Sequence, residues 1–250
     1  MDALQRYYFN WDIIKDTVPL LLRTLPTVAE LLALGLLFAF IWGLTLSLMR
    51  LSRFRVLRWF AVVYIDFFRG LPLLLLLIFI YSGLAIVGAD TGIDALILPP
   101  TIAAVSAFAI CYAAYSAEVF RAGIESIPKG QTEAARSLGM TYGQAMRYVI
   151  LPQALKTVIP PLTNELVALI KDTSLASVIS VPELLFRAKE KMGVVANPTP
   201  LTVAAVVYVV FTIPLIRLAA RLERRQKQPR AGTQIPADMA AQLPKGGGLL

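Results

Sequence analysis

The sequence predicts an all-α fold, a polytopic membrane bundle of five transmembrane helices with one long cytoplasmic loop, and three observations carry that expectation. Of 250 residues, 57% are hydrophobic and only 16% charged, with a mean hydropathy of +0.68, whereas soluble domains carry about 25% charged residues. A bilayer core about 30 Å thick needs about 20 apolar helical residues, and the uncharged runs 31–49, 71–89, 95–117 and 198–216 approach or exceed that length. Lys and Arg gather in the segments between the runs.

Residues 1–16 carry Asp2, Arg6, Asp12, Lys15 and Asp16. They lack the short apolar core of a secretory signal, so no cleavage is expected and the segment is read as lying outside the membrane. The spans are expected at about 25–49, 60–88, 97–122, 154–172 and 198–220, with a loop at 123–152. Arg23, Thr27 and Glu30 share one face at the start of the first span, a face for a partner or for headgroups. The second contains a Gly70-Leu71-Pro72 break preceded by Asp66 and Arg69. The third holds the single cysteine, Cys111, which excludes an intrachain disulfide and reads as small core filler. The fourth has a short apolar centre, 157–170, containing Glu165 and the pair Pro160-Pro161. Two prolines strip amides and are expected to interrupt that helix, so the segment should be walled by protein and line the bundle interior. Trp11, Trp42, Trp59 and Tyr81 fall near span ends as interface anchors or packing. Residues 228–250, rich in Pro, Gly, Gln and Ala, are expected to form a disordered cytoplasmic tail. There is no histidine, so no His-ligated metal site.

Basic loops stay in the cytoplasm. With the N-terminus outside and the C-terminus inside, the inner segments carry Arg50, Arg53, Arg55 and Arg58, then Arg121, Lys129, Arg136, Arg147 and Lys156, then Arg217 to Arg230. That is about twice the number the reverse arrangement places there. The net charge of +8 therefore requires no nucleic acid, because inner-leaflet phospholipid attracts those residues.

The loop from Phe120 to Pro152 is a charged, cap-rich island. Pro128 and Gly130 are expected to break the helix that leaves the membrane, and Gln131 to Leu138 to form a short helix. Gly139 is placed to cap it. Thr141 and Gln144 have capping-box spacing for a second helix that Pro152 stops. Ala134 and Ala135 would leave the first helix bare enough to enter a groove on another protein, with Glu133 beside them. The pattern alone equally suits a loop lying on lipid headgroups.

Glu133-Ala134-Ala135, three residues, Gly139, nine residues, then Val149-Ile150-Leu151-Pro152 resembles the EAA loop of ABC importer permeases, with Val149 where the family has Ile. In that family the loop is a coupling helix seated in a cleft of a cytoplasmic ATP-binding subunit. Residues 67–84, 114–131 and 164–180 resemble the polar amino acid permeases, the histidine, arginine, glutamine and opine group. Leu71 departs from the Thr or Ser often found there. The resemblance covers about Thr24 to Arg225. It implies the permease subunit of a type I importer in a bacterial inner membrane, with a cytoplasmic coupling-helix loop. It further implies two ATP-binding subunits, a second permease chain, identical or homologous, an external solute-binding protein and a polar amino acid substrate. The chain has no G-x-x-x-x-G-K-[ST] phosphate loop, so ATP and Mg are expected on the partner and the chain is not itself an enzyme.

Ionisable side chains in hydrocarbon are expensive and tend to face a cavity or partner. The candidates for the path are Arg69, Gly70 and Pro72, Glu118, and the set Asn164, Glu165, Lys171, Asp172, Thr173 and Ser174. Asp66 with Arg69, and Glu118 with Arg121, have i, i+3 spacing and could simply neutralise each other. Lys171 and Asp172 suit either the outer end of the fourth span or a gate. Asn164 and Glu165 fall within the span. An ion-coupled secondary transporter would explain buried charge but would have no use for the EAA loop. A membrane-embedded enzyme would need a catalytic constellation, which these residues do not offer.

Overall fold

The computed structural model describes residues 2–227, and the expected tail at 228–250 lies outside the described residues. Helices account for the described secondary structure, in keeping with the all-α expectation.

Residues 1–16, read from sequence only as an outer segment, contain two helices. They are α1, Asp2–Tyr8, and the start of α2, Trp11–Leu22. Asn10 caps α2 by accepting from the amides of Asp12 and Ile13. This corner is tied to the far end of the chain. The Thr199 hydroxyl donates to the Tyr7 carbonyl (3.2 Å) and accepts from the Asn10 amide (3.3 Å), while Asn197 donates to the Arg6 carbonyl (3.1 Å). Arg23 and Thr24 keep helical dihedrals between α2 and α3, Leu25–Arg50. Arg23 thus lies in the connection just before α3, and Thr27 and Glu30 lie in its first turns.

α3 runs parallel to α7, Pro100–Glu125. A Cβ on Gly35 would meet Phe108 Cβ at 3.3 Å, and one on Gly43 would meet Ser116 Cβ at 2.8 Å and the Ala113 carbonyl at 3.0 Å. Small residues let the two backbones approach, the usual device for helices packing in a membrane. The main core cluster is built on this pair, with Leu31, Ala39, Ala104, Phe108, Leu77 and Leu169 buried within it.

α4, Arg55–Gly70, ends where Leu71 and Pro72 turn extended (ψ 130° and 128°), and α5 restarts at Leu73. The expected break is there, so 60–88 is two helical pieces, not one. α5, Leu73–Ile78, passes through a wide π turn, Phe79–Gly83, into α6, Leu84–Thr91.

After α7 come α8, Lys129–Ser137, α9, Tyr142–Ala145, and a π turn, Met146–Ile150, that leads without interruption into α10, Leu151–Asp172. Three expectations are corrected here. Gly130 lies inside α8 and breaks nothing. Pro152 does not stop a helix but lies within continuous helix, just after the π turn. Pro160 and Pro161 do not interrupt α10. Val158 packs so closely on Gly123 of α7 that an added Cβ would come 2.2 Å from it, and this packing holds the helix across the lost amides.

A 3-10 stretch, Thr173–Ile179, leads to Glu183, which is wholly buried. Glu183 caps α11, Leu184–Val195, by accepting from the amides of Leu185 (2.9 Å) and Phe186 (2.7 Å), and Tyr208 donates to it from α12, Thr199–Lys227. Burial pushes the Glu183 carboxyl above the usual carboxylate range, against the pull of these hydrogen bonds. By length and composition, four stretches of the described residues suffice to cross a membrane: Leu4–Arg50, Leu73–Thr91, Pro100–Glu125 and Thr199–Arg224. α10, which carries Lys156, Glu165, Lys171 and Asp172, is not among them.

Gly43→Ala is expected to destabilise the detergent-purified protein by about 1–3 kcal/mol through overpacking against α7. Gly193→Ala, where a Cβ meets nothing within 4 Å, should stabilise it by up to about 1 kcal/mol. Glu183→Ala removes a cap and the acceptor of the half-buried Tyr208 hydroxyl, an expected loss of about 2–4 kcal/mol. Thermal unfolding followed by circular dichroism checks all three, and equal effects at Gly43 and Gly193 would contradict the packing described.

Candidate functional site

Two regions carry the residues that the sequence singles out. The first is the loop. The Gly139 amide donates to the Arg136 carbonyl (3.0 Å) and the Met140 amide to the Ala135 carbonyl (3.2 Å), a Schellman closure in which Gly139 takes a φ of +84°. The Thr141 amide donates to Gln144 (2.8 Å), and Thr141 accepts from the Gln144 amide (3.3 Å), so the capping box is complete. The corner between α8 and α9 is therefore fixed on both sides by local hydrogen bonds.

Glu133 and Ala134 are exposed, but Ala135 is buried. The expectation of a bare Ala134-Ala135 pair is corrected: consecutive helical residues point about 100° apart, so Ala135 packs inward while Ala134 faces out. The sequence reading missed Leu138, which is 81% exposed just before the Gly139 corner. An apolar residue ahead of a capping glycine on a polar helix was the available signal. Ile150 is buried with Ile124 of α7 and Ala154 of α10, and Leu51, Ile127, Val149 and Leu151 pack against that cluster, while Pro152 is exposed. The loop is thus seated on the ends of two core helices.

The second region is a cavity of about 630 Å³ between the α4–α5 break, α7 and α10. Arg69, Gly70 and Pro72 line it from the break, Tyr112 and Tyr115 from α7, and Asn164, Glu165 and Asp172 from α10. Glu165, Ala168 and Asp172 fall at i, i+3 and i+7, and Cys111, Tyr112 and Tyr115 at i, i+1 and i+4, so each helix offers one face. Tyr112 donates to Asp172 (2.7 Å), and Ser116 donates to Glu165. The Arg69 guanidinium lies over the Tyr115 ring, 5.6 Å from its centroid. The cavity thus holds carboxylates on one wall and a guanidinium on another.

Six of the path candidates therefore converge: Arg69, Gly70, Pro72, Asn164, Glu165 and Asp172. The other four lie elsewhere. Lys171 is exposed away from the cavity. Thr173 is buried with its hydroxyl on the Ile170 carbonyl, and Ser174 donates to the Lys171 carbonyl, so both close the end of α10. Glu118 pairs with Arg121 (2.8 Å), as its spacing suggested, and also with Arg50. Asp66 and Arg69 do not pair, since Arg69 turns to Tyr115. Tyr112, Tyr115 and Ser116 were missed, because hydroxyls scattered through an apolar run carry no signal until a facing helix supplies their acceptors.

The family model described as "Binding-protein-dependent transport system inner membrane component" matches residues 33–228. L-cystine transport system permease protein TcyL of Bacillus subtilis is 41% identical over 181 residues, 72% of this chain and 76% of that protein. Glutamate/aspartate import permease protein GltK of Escherichia coli O157:H7 is 35% identical over 226 residues, 88% of this chain and 99% of that one. A solved chain described as an amino acid ABC transporter with histidines superposes with a TM-score of 0.76 at 36% identity, over 86% of this chain and 98% of that chain. A chain of the MetNI methionine ABC transporter, at 22% identity and a TM-score of 0.66 over 84% of this chain and 99% of its own, shares the fold. The chain therefore belongs to the family of binding-protein-dependent transport system inner membrane components.

Proposed function

We propose that this chain is the permease subunit of an ATP-binding cassette importer for a polar amino acid, and that it works with two ATP-binding subunits, a second permease chain and an external solute-binding protein. ATP and Mg are held by the ATP-binding subunits. The chain lies in a bacterial inner membrane with five spans, α10 being the fourth, its N-terminus outside and its C-terminus in the cytoplasm. The bias of Lys and Arg residues supports that orientation. The relatives' names, which specify cystine, glutamate and aspartate, support an amino acid.

The observation that carries the reading is the continuity of the loop with the cavity wall. α8 presents Glu133, Ala134 and Leu138 outward beside the corner locked at Gly139. From α9 the chain runs through a π turn directly into α10, the helix that bears Asn164, Glu165 and Asp172. Closure of the ATP-binding subunits would displace α8, and α10 would carry that displacement along its axis to the cavity. A zwitterion entering the cavity could set its ammonium against Glu165 and Asp172 and its carboxylate against Arg69, each charge replacing lost water by a charge-assisted hydrogen bond.

Reconstitution with the neighbouring ATPase and binding-protein genes tests the loop. Glu133→Arg and Gly139→Pro are each expected to abolish substrate-stimulated ATP hydrolysis and uptake while the chain still inserts. Uptake that persists without ATP would overturn the reading in favour of an ion-coupled transporter. For the cavity, Glu165→Gln is expected to lower uptake by about 10- to 100-fold, the value of a charged hydrogen bond, with basal ATP hydrolysis retained. Lys171→Gln, outside the cavity, should leave uptake within about twofold, as for a surface substitution. Unchanged uptake in Glu165→Gln would remove Glu165 from the path.

A further inference from the structure

A second large cavity, about 920 Å³, opens between the α3–α4 turn and the loop. Arg53 in the turn, Arg58 in the first turns of α4 and Arg136 on α8 all line it, above a floor that includes Leu48, Leu51 and Met146. Arg50 and Arg121 share Glu118, and Arg187 pairs with Glu190. Here, among the described residues, no carboxylate forms an ion pair with any of the three. Arg53 lies over the Phe54 ring (5.5 Å to its centroid), and Arg136 donates to the Met140 carbonyl. Three arginines from three segments thus line one space that Leu48, Leu51 and Met146 also line, with no carboxylate paired to them among the described residues, an arrangement that favours an anion with several acceptor oxygens.

The surface beside the arginines decides what carries that anion. Phe54, which lines the cavity, is 60% exposed, and Val56 (78%) and Trp59 (68%) are exposed on the other side of the first turns of α4, so this helix begins with apolar and basic residues together. That is the composition of a helix lying at the boundary between headgroups and acyl chains. A soluble anion would leave Phe54 in water. A phospholipid would cover it with an acyl chain while its phosphate reached the arginines. On the proposed orientation this corner lies at the cytoplasmic leaflet, whose lipids are anionic.

We propose that Arg53, Arg58 and Arg136 bind the phosphate of an anionic phospholipid, which bridges the α3–α4 turn to α8. The assignment of side rests on the proposed orientation, while the site rests on the cavity. Since Arg136 stands three residues from Glu133 and three from Gly139 on α8, the bound lipid ties the loop to the membrane surface. Loop mobility then depends on membrane composition.

Native mass spectrometry of the purified permease complex in neutral detergent, titrated with dioleoylphosphatidylglycerol or dioleoylphosphatidylcholine, tests this. Wild type should bind phosphatidylglycerol preferentially. Arg53→Gln/Arg58→Gln should weaken its tightest-bound equivalent by roughly tenfold or more, with phosphatidylcholine unchanged, and Arg53→Lys/Arg58→Lys should restore much of the loss. Equal retention of phosphatidylglycerol by wild type and the Gln variant would overturn the site. Displacement by millimolar inorganic phosphate would assign it to a soluble anion. Loss of the ATP-binding subunit from the Gln variant, with lipid binding intact, would assign the arginines to a protein contact. Failure of the permease reading would register separately, as absence of substrate-stimulated ATP hydrolysis with lipid binding unaltered.

Discussion

The approach of α3 to α7 at Gly43 is the constraint on which the other contacts depend. With only hydrogen on Gly43, α3 comes close enough for a Cβ there to fall within 3.0 Å of α7 atoms on two sides. In a bilayer there is no hydrophobic gain from pressing two apolar helices together, so close backbone approach and the dispersion it permits must hold them. The same turn of α7 supplies Ser116, which sits against Gly43 on one side and donates to Glu165 of α10 on the other. Two turns along α3, Arg50 reaches Glu118, which Arg121 also engages. A partly buried ion pair adds little net stability after desolvation, but it fixes the register of two helices that smooth apolar packing would let slide.

α10 joins the two halves of the molecule. Its prolines would ordinarily kink or end a helix, at about 3 kcal/mol or more in the interior of one. Pro152 follows closely on the π turn Met146–Ile150. Pro160 and Pro161 take the donors from the Lys156 and Thr157 carbonyls, and they sit beside Val158, which is clamped on Gly123. A helix with weakened hydrogen bonding at its middle and firm packing on one side can transmit displacement along its axis while yielding in bend.

Features set by a few adjacent residues were legible in the sequence. The Gly139 corner, the Thr141–Gln144 box and the stop at Gly70-Leu71-Pro72 each follow from backbone chemistry within four residues, and each is present. Features set by the opposite wall were not. Nothing local distinguishes Ala134 from Ala135, or shows that Tyr112 meets Asp172 from sixty residues away. The continuity of α10 through two prolines is likewise a tertiary override of propensity. The burial of Glu183 could not be read either, because its environment is built by α12, and a Glu before Leu-Leu-Phe otherwise reads as an ordinary exposed cap.

The cavity carboxylates illustrate what burial demands before any ligand arrives. An unpaired carboxylate in a protein interior is prohibitively costly, and both Glu165 and Asp172 already accept a hydroxyl, from Ser116 and Tyr112. A neutral hydroxyl orients and partly stabilises a carboxylate without cancelling its charge, so each remains free to accept from a cationic group with its other lone pairs. Arg69 is handled in the same way: stacked on Tyr115, with no carboxylate paired to it among the described residues, it keeps its donors available while the ring face compensates part of its charge. Had Arg69 closed an ion pair with Asp66, as their spacing allowed, or Glu165 met a lysine, the cavity would be self-neutralised and a zwitterion would have to break those pairs to enter. Partial satisfaction on both walls keeps opposite charges apart across one space, and on the proposed reading of the cavity that separation would let it distinguish a zwitterionic solute from a neutral one.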